Sequence, residues 1–238
     1  MEDKCNFTFR HYGNILKSAK RKGFKFAFFT ERNSSQKVIY LRHDIDISLE
    51  NAFRVAEIAK RNKARSTFFI RTHSNFYNPF FPENVRTIRK IFDLGHMIGL
   101  HYDGEVDLEK LEELIDQEYL FLKNFIPLSK IVSFHRPNPK VFDLELKEFI
   151  NTYSHYFFNK GKYYISDSNR ELKRGCIKEF IQKTQNSKIQ ILIHPIWWNE
   201  KSLNKKQVYY NILKNKEREV INELKNNTKW YKELFEKS

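Results

Sequence analysis

Four apolar runs in this 238-residue chain end alike. VIYLRHDID (38–46), MIGLHYD (97–103), IVSFHRP (131–137) and ILIHP (191–195) pass from β-branched and aromatic residues directly into His, Asp or Arg. Runs of this length and composition are strands. The stretches between them carry helical spacing. Ser48 is a suitable N-cap for a helix over about 49–62, with Ala52, Val55, Ala56 and Ala59 on one side. Further helices are expected near 10–23, 83–94, 141–150 and 176–184. Another is expected over 107–124, capped by Asp107, with Leu108, Leu111, Leu114, Ile115 and Leu122 among its apolar positions. Additional strands are expected at KFAFF (25–29), STFFIR (66–71) and YYIS (163–166), and RNSSQK (32–37) reads as a polar loop. Strand and helix alternate. That order calls for a parallel sheet with crossover helices, open or closed into a barrel, and polar residues at the C-terminal strand ends lie where such folds build their sites.

Apolar residues make up 40% of the chain and aromatics 16%, so it is globular and not disordered. No low-complexity linker or internal repeat interrupts it, and one domain over 1–238 is expected, ending in a charged helical tail at about 203–236. In that tail Val208, Ile212, Val220, Ile221 and Leu224 are the candidates to face a core. No apolar run reaches the roughly 20 residues needed to cross a bilayer. The opening MEDKCNFTFRHYG lacks the charged-then-apolar layout of a secretion signal, so the expected location is the cytoplasm. Two cysteines, Cys5 and Cys176, are too few for a disulfide framework. The net charge of +14 comes from 43 Lys and Arg against 29 acids. It favours anionic partners such as phosphate-bearing sugars and leaves peripheral membrane contact open. Nucleic acid is not expected, because no zinc-finger, helix-turn-helix or RNA-binding strand motif occurs.

LRHDIDIS (41–48) poses the chemical question, since carboxylates at the end of a buried strand are costly unless something neutralises them. A metal ion, a proton-transfer role or an ion pair with Arg42 each answers it. Asp and His with an open coordination position suit a catalytic divalent metal such as zinc, with cobalt, manganese, nickel and iron as alternatives. A second carboxylate then serves as base toward water, a separate His as acid toward the leaving group, and an Arg keeps the base ionised. The set suffices for metal-assisted hydrolysis of an amide or ester.

The ordered segments LRHDIDIS, STFFI, GHMIGLHYD, SFHRPNP and LIHPIWW resemble the motif series of the polysaccharide deacetylases, the NodB-like carbohydrate esterases. The resemblance covers about residues 38–198 and implies a distorted (β/α) barrel with fewer than eight complete repeats. It also implies metal-dependent removal of acetyl groups from sugars. On that resemblance Asp44 is the base and Asp46 a metal ligand, with the two roles interchangeable and His43 available to take part. His101 matches the family's first His ligand. The second His, four residues on, is replaced by Glu105, so Glu105, Asp103 or His135 is left to complete the ligand set. Arg136, before Pro137, matches the Arg that orients the base. His194, before Pro195, matches the general acid, and His96 a non-ligating His. Trp197 and Trp198, and the loop THSNFYNPFF (72–81) with Phe76, Tyr77, Phe80 and Phe81, offer aromatic faces for a sugar or acyl group. His11, His73, His155 and both cysteines carry no motif.

The expected substrate is an acylated sugar, plausibly a nucleotide- or lipid-linked intermediate of surface glycan assembly. Two alternatives remain: a deformylase or other amide hydrolase on the same scaffold, and a metal-free sugar-binding or scaffold protein, which the missing second His keeps open.

Overall fold

The computed structural model describes residues 5–32, 36–228 and 230–235. Of the expected RNSSQK loop, residues 33–35 lie outside the described residues, as do residues 229 and 236 of the expected tail. The chain divides into two compact units, Met1–Ser202 and Leu203–Ser238.

The first unit is built on a parallel sheet. Its strands are β1 (Lys25–Ala27), β2 (Val38–Ile45), β3 (Thr67–Ile70), β4 (Met97–Tyr102), β5 (Ile131–Phe134), β6 (Ile150–Asn151), β7 (Tyr164–Ser166) and β8 (Lys188–Ile193). They run in the order β6-β5-β4-β3-β2-β8-β7, with β1 added to β2. This is the expected (β/α) barrel with fewer than eight complete repeats. The helices are α1 (Phe9–Arg21), α2 (Leu49–Arg61), α3 (Pro82–Asp93), α4 (Leu111–Lys123) and α5 (Ile177–Lys183). Ser48 caps α2, its hydroxyl accepting the Asn51 N–H at 3.1 Å, and Ala52, Val55, Ala56 and Ala59 are buried. On α1 the apolar spacing buries Tyr12, Ile15, Leu16 and Ala19.

Inside the curl, Phe29, Tyr40, Phe69 and Phe157 pack with ring centroids 4.8–6.1 Å apart, most of them edge to face. Each such buried side chain contributes about 1.5–3 kcal/mol through burial alone. Gly99 on β4 makes room for this cluster, because a Cβ there would lie 2.6 Å from the Phe69 ring and 2.9 Å from the Ile131 carbonyl oxygen.

Three expectations are corrected. Residues 141–150 form no helix: a short 3-10 turn at Pro139–Val141 gives way to irregular chain. The Asn151 side chain donates to the Val141 and Leu144 carbonyls at 2.9 Å, taking over backbone groups that a helix would use. The helix α4 begins at Leu111, not 107, because Asp107 caps a turn instead, accepting the Glu109 N–H at 3.1 Å, and Leu108 is exposed. The second unit contains α6 (Lys205–Asn227), opened by a capping box between Asn204 and Gln207, and α7 (Tyr231–Phe235). Of its expected core positions Val208 is buried, but Val220 and Leu224 are exposed. Among the described residues no helix is long and apolar enough to cross a membrane.

Candidate active site

Strand alternation sorts the residues of LRHDIDIS. Arg42, Asp44 and Asp46 fall on one face of the β2 line, and His43 and Ile45 on the other. On the first face Arg42 and Asp44 form a forked pair, Nε donating to Oδ1 at 2.8 Å and Nη2 to Oδ2 at 2.6 Å. Both side chains are buried, and Arg42 Nη1 also donates to Thr152 Oγ1 at 3.1 Å. The guanidinium lies over the Tyr153 ring at 4.6 Å. Burial works to raise the Asp44 pKa, but Arg42 and His101 outweigh it and hold the carboxyl below its ordinary range.

Asp46, just past the strand, faces imidazoles instead. His101 Nε2 lies 3.0 Å and His135 Nδ1 3.2 Å from its Oδ1, and His194 Nε2 lies 3.8 Å from its Oδ2. Burial again favours the neutral acid, and the hydrogen bonds from His101 and His135 overcome it, so Asp46 is held well below the usual carboxylate range. The imidazoles come from separate strand ends. His101 sits opposite Ser133 in the β4–β5 register, and its Nδ1 meets the Ser133 hydroxyl at 2.7 Å. Ser133 Oγ in turn donates toward Asp44 Oδ1 at 3.5 Å. A carboxylate only accepts, so the hydroxyl proton points to Asp44 and the Nδ1–H of His101 donates to Ser133. The His135 N–H donates to the Tyr102 carbonyl at 2.8 Å, extending the ladder one residue past β5, and the chain then turns at Arg136 with φ 49°.

His194 follows β8. Its backbone N–H and its Nδ1 both engage Asp167 Oδ1, at 2.9 and 2.7 Å. Asp167 Oδ2 accepts the Trp198 indole N–H at 2.8 Å. Burial pulls the His194 pKa down, but the Asp167 hydrogen bond and charge, with Asp46 and Asp44 behind them, raise it to about 9. The imidazole is therefore a cation at neutral pH.

The donor set fits a divalent metal. Asp46 Oδ1, His101 Nε2 and His135 Nδ1 lie within 4.8 Å of one another. An ion with bonds of about 2.0–2.2 Å to N and O separates tetrahedral neighbours by about 3.3–3.5 Å, and three protein donors leave a position open, as catalytic sites do. Ser133 orients His101 from the far side of the ring, the usual arrangement for a ligating His.

Several expected site residues lie elsewhere. Glu105 is exposed and outside this cluster, and His135 takes the third place. Asp103 is engaged as the ion-pair partner of Arg71. Arg136 is exposed, and the partner of Asp44 is Arg42, because i and i+2 share a strand face while Arg136 sits beyond the end of β5. His43 points to the helix side, where Nε2 meets the Tyr12 hydroxyl at 2.8 Å and the ring stacks on Phe68 at 4.2 Å. Burial holds its pKa well below the ordinary value, so it is a neutral packing residue and not a substrate contact. Trp197 and Trp198 are buried too, Trp198 completely, and neither offers a free face to a sugar. Tyr77 is buried, its hydroxyl donating to the Ile45 carbonyl at 2.7 Å, and Phe80 packs on Phe121 and Phe125. His96 is the expected structural bridge, with Ser66 Oγ at 2.9 Å and the Ala56 carbonyl at 3.0 Å.

The sequence reading missed Asp167 and Ser133. Asp167 directly follows YYIS, the same strand-end position that marks the other site residues.

No family model matches the chain, and no curated protein matches it in sequence. Among solved structures it is similar to a family 4 carbohydrate esterase from Bacillus anthracis, at 17% identity over 88% of this chain and 86% of that one, with a TM-score of 0.44. It is also similar to a family 4 carbohydrate esterase pseudoenzyme from the same organism, at 12% identity over 79% of this chain and 63% of that one, TM-score 0.45. A mutant of that pseudoenzyme with restored enzymatic activity matches at 12% identity, over 79% of this chain and 65% of that one, TM-score 0.45. The chain thus spans just under two thirds of the pseudoenzyme's length.

Proposed function

We propose that the chain is a metal-dependent hydrolase that removes an acyl group, acetyl foremost, from an amide or ester of a sugar. The observation that carries this reading is the convergence of Asp46, His101 and His135 beside two further groups of opposite protonation state, Asp44 and His194. A divalent ion held by Asp46, His101 and His135 supplies Lewis acidity toward the acyl carbonyl and toward water. Asp44, kept ionised by Arg42, takes the proton of the attacking water. His194, protonated and steadied by Asp167, gives a proton to the departing nitrogen or oxygen. Ser133 links the base to the ligand His101, so the two carboxylates and the imidazole hold a fixed spacing. The net charge of +14 supports a substrate carrying phosphate, such as a nucleotide- or lipid-linked sugar.

The test pairs elemental analysis with a substrate panel. The native protein is expected to hold one equivalent more of divalent metal than Asp46→Ala and His101→Ala do, and to release acetate from acetylated amino sugars. Release of formate alone makes it a deformylase. Equal uptake of zinc, cobalt or manganese by the native protein and by Asp46→Ala overturns the hydrolase reading in favour of a binding protein with no metal at this site.

A further inference from the structure

A second cluster of metal-binding side chains lies outside this site. Cys5, His11 and Cys176 bring two sulfurs and an imidazole nitrogen within 4.8 Å of one another, with His11 Nε2 3.3 Å from Cys176 Sγ. His11 and Cys176 are buried and Cys5 is half-buried. The placement is built from both ends of the first unit. Thr8 caps α1, its hydroxyl accepting the His11 N–H at 3.1 Å, which fixes His11 in the first turn. Phe9 N–H donates to the Asn199 carbonyl at 2.9 Å, and Asn199 N–H to the Phe7 carbonyl at 3.0 Å, so this segment runs beside the chain that leaves β8. Cys176 stands immediately before α5.

Nothing in amide or ester hydrolysis calls for these groups. The buried Cys176 thiol takes its side-chain hydrogen bonds from Cys5 and His11, so the three donor groups face one another. Two sulfurs and a nitrogen form a soft donor set that favours zinc over magnesium or calcium, and two Cys with one His is a known zinc set. A tetrahedral ion with bonds of about 2.3 Å to sulfur and 2.0–2.1 Å to nitrogen separates neighbouring donors by about 3.3–3.8 Å. The His11–Cys176 separation already falls there. A disulfide would use the sulfurs alone and leave His11 unexplained.

We propose that Cys5, His11 and Cys176 bind a soft divalent metal ion, zinc foremost, which pins the N-terminal segment to the start of α5. Binding releases the thiol protons to solvent as the thiolates form, so it weakens as pH falls. The site is linked to His194 through two intervening side chains, Trp198 and Asp167. The His11 ring lies parallel to Trp198 at 6.3 Å between centroids and 10° between planes, and Trp198 donates to the carboxylate that holds His194.

Cobalt distinguishes the two sites, because a thiolate ligand gives a near-ultraviolet charge-transfer band and a carboxylate or imidazole does not. The full chain, stripped with chelator and kept reduced under anaerobic conditions, is titrated with cobalt(II). The band is expected in the native protein and in His101→Ala, and is expected to vanish in Cys5→Ser and in Cys176→Ser. In His101→Ala, added zinc is expected to raise the Tm, and in the Cys5→Ser, His101→Ala double variant it is expected not to. Absence of the band from the reduced native protein overturns the proposal without reference to any variant, whether or not the thiols then pair on exposure to air. A band that survives in both cysteine variants overturns it as well. Failure of the hydrolase reading leaves the band untouched, since it is read in the variant that lacks His101.

Discussion

Asp44 and Asp46 leave β2 on the same face, two residues apart, yet they live in different surroundings. Asp44 is 2% exposed and gives both oxygens to one guanidinium, while Asp46 is 18% exposed and meets only imidazoles. An arginine is always charged and offers a rigid fork, so it fixes a carboxylate as an anion and sets its orientation. Imidazoles can surrender a proton and turn a lone pair inward. Asp46 is therefore placed beside two imidazoles, of His101 and His135, that can jointly become metal ligands, while Asp44, though His101 Nε2 lies 3.6 Å away, is committed to a guanidinium that cannot. The same strand thus gives its two carboxylates different partners, which is the basis for the proposed division into base and ligand.

The largest effect comes from exchanging the two acids' roles. Asp44→Asn is expected to retain metal and lose about 10²–10⁴-fold in kcat, as removal of a general base does. Asp46→Asn is expected to lose the ion proposed between Asp46, His101 and His135 first, one equivalent below native. Metal content and acetate release measured on both variants check this, and loss of metal from Asp44→Asn would erase the distinction. Next, Arg42→Leu leaves a buried carboxylate unpaired and is expected to cost about 3–5 kcal/mol in urea unfolding, most of it recovered in the Arg42→Leu, Asp44→Leu double variant. If the double variant is no better than the single, the pair is not what holds this face together.

The third effect is on pH. In the metal-free protein His194 has its pKa raised from 6.5 to about 9, so its contribution to stability is fully present below pH 6.5 and is lost as pH rises through about 9. Asp167→Asn is expected to flatten that alkaline loss in denaturation curves taken across the same window. The smallest effect tests the correction at the end of β5. Arg136→Ala is expected to change stability by no more than about 0.5 kcal/mol, as exposed positions do, and to leave the Asp44-dependent rate near native.

Much of this arrangement is legible in the sequence, because apolar runs that end in titratable residues mark both the strands and the face where they stop. The capped helix after Ser48 and the burial of its alanines follow from local spacing alone. Arg42 was within reach for the same reason, since period-2 alternation places it with Asp44. What local pattern does not carry is pairing at a distance. Ser133 matters only because the β4–β5 register sets it opposite His101, and Asp167 only because β7 lies beside β8. The false helix at 141–150 shows the converse, for its periodic apolar residues are overruled by one side chain, Asn151, bonding to its backbone.

The ligands on Asp46, His101 and His135 come from three strands, with β3 between the first two. Their spacing is therefore set by how tightly the sheet curls, and at Gly99 that curl brings the β4 backbone against the Phe69 ring. A methyl group at residue 99 would push β4 and β3 apart two residues before His101. If the proposed ion is held there, its affinity becomes a gauge of sheet curvature, and a dilation too small to unfold the chain would register as weaker binding.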